Sequence, residues 1–281
     1  MENLGYYNGK YAPIKEVKIP MTDRVCFFGD GVYDATYARN HKIFAVEEHL
    51  DRFFNSLKFL RMECPVTREE LKKILTEMVC KVDDGESFVY WQVTRGASTL
   101  RNHAFPDDSS KSSLWITVEP RKITDVHKKL KLITLEDIRF LMCNIKTLNL
   151  IPNVMAAQIT KEAGCDECVF HRNGRVTECA HSNVSIIKNG KFITAPLDKL
   201  ILPGISRMHI LEFCREFDIP VEERPYTIDD LMNADEVVVT SSGQLCLQAV
   251  EIDGKPVGGR SPEILSKLQN AYLDKFLHDT D

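Results

Sequence analysis

The chain has 281 residues, with 43% hydrophobic and 27% charged side chains, which is typical of a globular protein of one large domain or two smaller ones. Its 36 basic and 41 acidic residues give a net charge of −5 at pH 7, which argues against a nucleic-acid partner because phosphate backbones require a basic surface. No apolar run exceeds four residues, so the sequence predicts neither a membrane span nor a signal peptide and favours a cytoplasmic protein.

The first part of the sequence predicts a hairpin, two helices and two strands. Asn8-Gly9 lies between apolar residues, and this dipeptide favours the positive φ angles of a tight hairpin turn. At residues 47–62 apolar side chains recur every three or four positions, which predicts a helix with one buried face. A second helix is predicted to follow Thr67, because Thr67 and Glu70 have the spacing of a capping box. Strands are predicted at residues 87–94 and 113–119.

Residues 120–129 lose apolar periodicity and gain charge, so we predict a linker there. It separates an N-terminal domain, residues 1–119, from a C-terminal domain, residues 130–281. The C-terminal part begins with a predicted strand at residues 130–136. Asn-Gly and Asp-Gly dipeptides predict further hairpins, and apolar spacing predicts helices at residues 153–163, 205–217 and 261–277. Sheets rich in hairpins, with helices grouped between them, predict an α+β fold in two parts rather than a doubly wound parallel sheet.

The nine cysteines are an odd number spread over the chain, which fits reduced thiols better than disulfides. One group within seventeen positions has side chains that zinc prefers: Cys165, Cys168, His171, Cys179 and His181. A strand entering the predicted turn at Asn173-Gly174 disfavours a metal site, because residues three apart in a strand face opposite sides of the sheet. We keep a zinc-stabilised binding protein as the alternative hypothesis that is not an enzyme.

Five longer motifs follow one another along the chain. They are Phe28-Gly29-Asp30-Gly31-Val32-Tyr33, Glu48-His49-Leu50-Asp51-Arg52, Cys143-Asn144-Ile145-Lys146-Thr147-Leu148-Asn149, Val176-Thr177-Glu178 with Ser182-Asn183, and Leu202-Pro203-Gly204-Ile205-Ser206-Arg207. Over almost the whole chain they resemble the fold-type IV pyridoxal-phosphate enzymes, which include D-amino acid aminotransferases, branched-chain aminotransferases and aminodeoxychorismate lyases. The resemblance implies a small N-terminal α/β domain, a larger C-terminal pseudo-barrel domain and pyridoxal 5'-phosphate as cofactor.

Two residues are implied to do chemistry at the cofactor. Lys146 matches the lysine that forms a Schiff base and then moves a proton between the substrate α-carbon and the cofactor C4′. Such a lysine must spend time as a free amine, and its apolar neighbours Ile145 and Leu148 favour that state by excluding water. Glu178 matches the carboxylate that keeps the pyridine nitrogen protonated, which makes the ring an electron sink.

A second set of residues matches those that hold the phosphate and the ring. Arg52 is expected to donate to the phosphate, unless it pairs on the helix surface with Glu48, four residues earlier. Gly204 precedes the start of a predicted helix, whose free N–H groups suit an anion. The other residues implied here are Ile205, Ser206 and Ser242 at the phosphate and Leu202 against the ring.

The stretch from Val93 to Gly96, followed by Arg101 and His103, resembles the D-amino acid branch of the family. The resemblance implies that Arg101 and His103 clamp the α-carboxylate of the substrate, because an arginine can bind a carboxylate through two hydrogen bonds. It also implies that the clamp comes from the partner subunit, so we expect a homodimer with two shared sites. The neighbours expected at the substrate are Tyr33 and Tyr90.

These observations predict an aminotransferase that moves the amino group of D-alanine or similar D-amino acids to a 2-oxo acid such as 2-oxoglutarate. Its expected partners are therefore small molecules and a second copy of the chain. Within the same fold, two alternatives stay open. One is a transaminase of branched-chain L-amino acids or amines, and the other is an aminodeoxychorismate lyase, which shares the cofactor but eliminates pyruvate.

Overall fold

The structure is a computed structural model that describes residues 2–82, 85–98, 101–106 and 111–281. The chain divides into two compact units. Unit 1 consists of Met1–Ile123, Ile145–Asn149 and Leu277–Asp281, and unit 2 consists of Thr124–Asn144 and Leu150–Phe276. The first division lies inside the predicted linker at residues 120–129, while the domain limits at 119 and 130 stay a prediction. Unit 1 includes the stretch that carries Lys146, although this stretch lies beyond the linker in sequence.

Unit 1 is built on one antiparallel sheet. Its described strands are β1 (Leu4–Tyr7), β2 (Lys10–Ala12), β3 (Gly31–Arg39), β4 (Lys42–Ile43), β5 (Glu86–Thr94) and β6 (Ser113–Pro120). They pair in the order β2-β1-β6-β5-β3-β4. The predicted hairpin turn joins β1 to β2, with φ angles of 43° at Asn8 and 90° at Gly9. The predicted strands at residues 87–94 and 113–119 are confirmed as β5 and β6.

Before Ile123 the described α-helices are α1 (Val25–Phe28), α2 (Val46–Phe59) and α3 (Arg68–Lys81), and a short 3-10 helix spans Ile14–Glu16. The predicted capping box of α3 is confirmed, since Thr67 Oγ1 accepts from Glu70 N–H and Glu70 accepts in return from Thr67 N–H. Helix α2 ends three residues before the predicted limit. The reason is that Arg61 adopts a left-handed φ of 54° and Met62 N–H bonds back to the carbonyl of Leu57, a common way to end a helix.

The core of unit 1 lies between these two longer helices and the sheet. The apolar faces of α2 and α3 pack with alternate residues of β5. This arrangement follows from the two sequence periods, because a helix presents residues three and four apart on one face and a strand presents every second residue. The buried side chains at its centre are Leu50, Phe53, Leu57, Leu71, Leu75, Met78, Val89, Trp91 and Val93.

Unit 2 contains a larger, mixed sheet. Its described strands are β7 (Lys129–Glu136), β8 (Glu167–Arg172), β9 (Arg175–Cys179), β10 (Asn183–Lys188), β11 (Lys191–Thr194), β12 (Val221–Glu223), β13 (Glu236–Ser241), β14 (Leu245–Ile252) and β15 (Lys255–Pro256). They run in the order β12-β11-β10-β13-β14-β7-β8-β9, and β15 pairs with β14. Pairs β11–β12, β14–β7 and β7–β8 are parallel and the other pairs are antiparallel. The predicted hairpin turns are confirmed at Asn173-Gly174, Asn189-Gly190 and Asp253-Gly254.

The described helices that follow Thr124 are α4 (Ile151–Glu162), α5 (Ile205–Glu216), α6 (Ile228–Met232) and α7 (Pro262–Asp279). Three of them match the predicted helices to within two residues at each end. The short α6 was not predicted, although Thr227 and Asp230 form a capping box at its start. Among the described residues, no helix combines the length and the apolar character that crossing a bilayer requires.

Candidate active site

The segment that carries Lys146 lies against the beginning of β3. The Lys146 carbonyl accepts from Tyr33 N–H at 3.0 Å, and Leu148 N–H donates to the Gly31 carbonyl at 3.1 Å. A Cβ atom at Gly31 would lie 2.6 Å from the side chain of Leu148 and equally close to the carbonyl oxygen of Val93. Only glycine therefore permits this approach, which explains why β3 begins with glycine at position 31.

The Lys146 side chain points at an aromatic pair. Its Nζ atom lies 4.4 Å from the centroid of the Tyr33 ring, and this ring stacks on Tyr90 at 5.5 Å with an interplanar angle of 26°. Tyr90 donates its hydroxyl to Gln92 Oε1 at 2.7 Å. Burial, with a smaller effect of the neighbouring Tyr33, raises the pKa of Tyr90, so this hydroxyl stays protonated. The structure thus brings the predicted lysine together with both predicted substrate tyrosines.

The opposite face of β3 holds Arg52. Side chains alternate along a strand, so Asp34 points away from Tyr33 and towards α2. Arg52 binds the Asp34 carboxylate through two nitrogens, at 2.9 Å and 2.6 Å, and His49 Nδ1 lies 2.8 Å from the same carboxylate. Burial alone would raise the pKa of Asp34, but the charge and hydrogen bonds of Arg52 and His49 hold it well below its ordinary value. Burial lowers the pKa of His49 in spite of Asp34.

Arg101 and His103 converge on one aromatic ring. The guanidinium carbon of Arg101 lies 4.9 Å from the centroid of the Phe28 ring, and the His103 ring centroid lies 5.0 Å from it. Both side chains are exposed. Phe28 begins the motif that ends at Tyr33, so the ring that supports the candidate clamp belongs to one of the motifs identified in the sequence.

In unit 2, Glu178 is the centre of a buried polar cluster. The residue is 5% exposed, and its carboxylate accepts from Asn183 Nδ2 at 3.0 Å and from Leu202 N–H at 2.9 Å. Arg139 Nη1 also donates to it, in a close ion pair. Sequence reasoning did not identify Arg139. It lies in a segment that the predicted elements do not include, and no short signature distinguishes it from other arginines.

Arg139 is itself fixed by a second carboxylate. Asp137 accepts from Arg139 Nε and Nη2, both at 2.9 Å. Burial alone would lower the pKa of Arg139, but its hydrogen bond with Asp137 and the charge of Glu178 raise it, so the guanidinium stays charged. Burial alone would raise the pKa of Asp137, and its contacts with Arg139 lower it instead. Asp137 thus holds the charged guanidinium of Arg139 in place beside the Glu178 carboxylate.

The start of α5 offers a polar cradle. In the described part of the chain, the buried hydroxyls of Ser206 and Thr240 have no hydrogen-bond partner. Gly204 precedes the helix, and a Cβ there would lie 2.0 Å from the amide oxygen of Asn183. Asn183 on β10 pairs with Thr240 on β13. Because Asn183 also lies against Gly204, the hydroxyls of Ser206 and Thr240 belong to neighbouring parts of unit 2. Thr240 was not among the predicted residues, whereas Ser206 was.

Buried donors without a partner cost free energy unless a ligand or water satisfies them. Two such hydroxyls in the part of unit 2 that contains the free N–H groups of a helix start fit a phosphate. Ile205 is 6% exposed at the first turn of this helix, and Leu202 presents its N–H to Glu178. Ser242 is half-buried in the turn that follows β13. The residues of unit 2 therefore fit a phosphorylated cofactor with a protonated ring nitrogen.

The group considered for zinc is arranged differently. Among the described residues, no set of three or more His, Cys, Asp or Glu side chains is placed to hold a metal ion. His181 Nδ1 lies 2.7 Å from the carboxylate of Glu167, which is only 2% exposed. Burial alone would raise the pKa of Glu167, but the hydrogen bond and charge of His181 lower it.

Comparison with known proteins identifies the family. The profile described as Amino-transferase class IV matches residues 31–252, which include the Lys146 segment, Glu178 and the start of α5. The chain belongs to the class IV aminotransferases. The predicted enzyme class, an aminotransferase that uses pyridoxal phosphate, is thereby confirmed.

Relatives of this class IV aminotransferase align along nearly their full length. A D-alanine aminotransferase of Staphylococcus haemolyticus is 36% identical over 270 residues, with 95% of each chain covered. A D-alanine aminotransferase of Listeria monocytogenes is 35% identical over 268 residues, covering 94% of this chain and 92% of the relative. One from Staphylococcus aureus is 33% identical over 280 residues, covering 99% and 98%.

Solved structures confirm the predicted fold. A branched-chain amino acid aminotransferase of T.th., with pyridoxamine 5'-phosphate, is 25% identical and superimposes with a TM-score of 0.88, covering 96% of this chain and 93% of that one. A branched-chain aminotransferase of Thermoproteus uzoniensis is 22% identical, with a TM-score of 0.88 and coverage of 99% and 96%. The class IV aminotransferase described here therefore has the fold-type IV architecture.

Proposed function

We propose that the enzyme moves the amino group of D-alanine and similar D-amino acids to a 2-oxo acid such as 2-oxoglutarate. The observation that carries the proposal is the convergence of Arg101 and His103 on the ring of Phe28. A guanidinium next to an imidazole is suited to grip a carboxylate. The name of the relatives that align over more than nine tenths of the chain supports the same substrate.

The residues proposed to hold the cofactor belong to both parts of the chain. In unit 1 these are Lys146 and Arg52, whose guanidinium is oriented by Asp34. In unit 2, Glu178 would accept from the ring nitrogen, since each carboxylate oxygen can accept more than one hydrogen bond. The remaining groups proposed for the ring and the phosphate are Leu202, Ile205, Ser206, Thr240 and Ser242.

When bound, pyridoxal phosphate supplies an electron sink that stabilises negative charge at the substrate α-carbon. The task left to the protein is proton transfer, and Lys146 Nζ is the group proposed for it. This amine would take the proton from the α-carbon and deliver it to the cofactor C4′. The stacked rings of Tyr33 and Tyr90 shield the amine from water on one side. Arg101 and His103 would fix the carboxylate and so decide which enantiomer presents its α-hydrogen to Lys146.

The substrate proposal is tested by measuring kcat/KM for D-alanine, L-leucine and aminodeoxychorismate with the same preparation. We expect D-alanine to be preferred. We also expect Arg101→Ala to raise the KM for D-alanine by about 10- to 100-fold, the effect of losing charge-assisted hydrogen bonds to a carboxylate. The visible absorbance of the bound cofactor should not change.

Arg121→Ala is the matched control, because Arg121 also lies over an aromatic ring of unit 1, that of Phe88, at 4.6 Å. Its KM should equal that of the parent enzyme. A preference for L-leucine in the parent enzyme would reject the D-amino acid assignment and favour the branched-chain alternative. Release of pyruvate from aminodeoxychorismate would favour the lyase.

We further propose that the enzyme is a homodimer in which Arg101 and His103 of one chain serve the active site of its partner. Apolar side chains exposed on unit 2 support a second copy as partner, because contiguous apolar surface of this kind is usually covered. Along α4 these are Ile151, Val154, Met155 and Ile159, and in the segment before Lys146 they are Ile138, Phe140, Leu141 and Met142.

Complementation between Lys146→Ala and Arg101→Ala, assayed at a D-alanine concentration far below the KM of the parent enzyme, where both variants are nearly inactive, tests the shared site. Homodimers of Lys146→Ala and of Arg101→Ala each lack one group in every site. A mixed dimer has one site that lacks both groups and one that lacks neither. Refolding the two variants together should therefore restore about a quarter of the parent activity, since about half of the dimers are mixed and half of their sites are complete. Mixed dimers confirmed by mass spectrometry but without restored activity would show that both groups come from one chain.

We also propose a cytoplasmic location. All nine cysteines have free thiols, and thiols persist in a reducing compartment.

A further inference from the structure

One buried arginine holds the backbone of the loop that carries the candidate clamp. The described part of this loop, residues 101–106, has no helix or strand, and its first residues are exposed. Arg24 is 3% exposed. Its Nη1 donates to the carbonyls of Asn102 at 2.6 Å and Ala104 at 3.1 Å, and its Nη2 donates to the carbonyl of His103 at 3.3 Å. Three consecutive carbonyls are thus bound by a single guanidinium.

Arg24 is fixed in turn by Asp30. Arg24 Nε donates to the Asp30 carboxylate at 2.7 Å, and Arg95 Nε donates to the same carboxylate at 2.9 Å. The other nitrogens of Arg95 bind the carbonyls of Leu60 at 2.9 Å and Arg61 at 3.1 Å, at the end of α2. The loop is therefore tied to the framework of unit 1 through two arginines that share one carboxylate.

Aromatic contacts complete this connection. The guanidinium carbon of Arg24 lies 4.8 Å from the centroid of the Phe28 ring, the ring that also contacts Arg101 and His103. Arg95 lies 3.7 Å from the ring centroid of Phe105, further along the loop. A movement of Arg24 would therefore displace both the backbone of the loop and the ring against which its two functional side chains lie.

We propose that Arg24 is a positioning residue of the substrate carboxylate site, and that it acts through Arg101 and His103. The inference rests on the clamp role proposed for those two residues. Arginine is required because its planar fork donates in several fixed directions at once, here to Asp30 and to three carbonyls. A lysine would keep the charge but present it at one point, so the loop would lose most of its contacts. A displacement of about 1 Å in such a group can cost about 100-fold in rate.

The test compares Arg24→Lys with the parent enzyme in KM, kcat and hydrogen exchange. We expect the KM for D-alanine to rise about 10- to 100-fold with a much smaller change in kcat, and the cofactor to bind as before. The peptide that contains residues 101–106 should exchange its amide hydrogens faster. In the Arg101→Ala background, Arg24→Lys should raise KM by a smaller factor than in the parent enzyme, because one of the two residues through which it acts is absent. A merely structural role would give additive effects.

Arg121→Lys is the control, and it should change neither KM nor exchange in this peptide. Asp30→Asn is the second variant and decides the matter if Arg24→Lys does not fold, because it weakens the contact that orients Arg24 and leaves the loop sequence unchanged. It should raise KM in the same way, and an unchanged KM would overturn the inference. If Arg101→Ala raises KM but Arg24→Lys does not, the inference alone is overturned. If Arg101→Ala leaves KM unchanged, the proposed clamp is wrong and the inference falls with it.

Discussion

Replacement of Lys146 by alanine is expected to lower the rate of transamination by about 10,000-fold or more, because the variant lacks the group proposed to carry the proton. The fold should persist. The contacts that hold this segment against β3 involve the backbone of Lys146 and the neighbouring Leu148, and alanine keeps them. In the parent enzyme, borohydride should fix the cofactor covalently, and mass spectrometry should find it on the peptide that contains Lys146.

Lys58→Ala provides the control, since Lys58 is an exposed lysine of α2 in the same unit. It should retain parent activity and the borohydride-fixed cofactor. Fixation at any other lysine of the parent enzyme would reject the assignment of Lys146.

Replacement of Glu178 by glutamine is expected to lower kcat by about 100-fold or more while the cofactor remains bound. Glutamine keeps the size of the side chain and one acceptor oxygen, but it removes the charge that would keep the ring nitrogen protonated. Because Arg139 is fixed by Asp137 as well, its guanidinium should stay in place in the variant. Steady-state kinetics and a cofactor titration measure the two effects separately.

Glu223→Gln is the comparison variant, because Glu223 also pairs with a buried arginine of unit 2, Arg207, at 2.7 Å. Its kcat should match that of the parent. If Glu178→Gln turned over within about threefold of the parent, Glu178 would not have the proposed role.

The helices and turns were predicted from residues close together in the sequence, and these residues were sufficient to locate them. The capping box of α3 and the Asn-Gly turn at Asn173 need only residues within four positions of each other. The predicted C-terminal end of α2 was three residues too late, because the backbone of Arg61 takes a left-handed conformation that residues other than glycine and asparagine seldom adopt.

The partners of the candidate site residues could not be predicted in the same way. Arg52 was weighed against a neighbour four residues earlier on its helix, whereas the carboxylate that binds it is Asp34, eighteen positions away on a strand. Arg139 and Glu178 are 39 positions apart. Such pairings depend on which elements become neighbours in the fold, and the order of strands in a sheet cannot be derived directly from a single sequence. Alternation along β3 could have indicated that Asp34 and Tyr33 face opposite sides, had the strand been predicted.

The return of Ile145–Asn149 to unit 1 has a consequence for how the protein is made. A ribosome completes the first 123 residues of that unit before the lysine segment exists, and extension from Ile123 to Asn149 takes on the order of a few seconds at roughly 5 to 20 residues per second. During this interval the start of β3 lacks the backbone hydrogen bonds of Lys146 and Leu148, and the Leu148 side chain that packs against Gly31 has not been synthesised. The last stretch of unit 1, Leu277–Asp281, follows only after the whole of unit 2 has been synthesised. A chain that is released before residue 146 therefore has the Tyr33–Tyr90 pair but lacks the Lys146 amine that contacts it. The same is true of any fragment that ends at the linker.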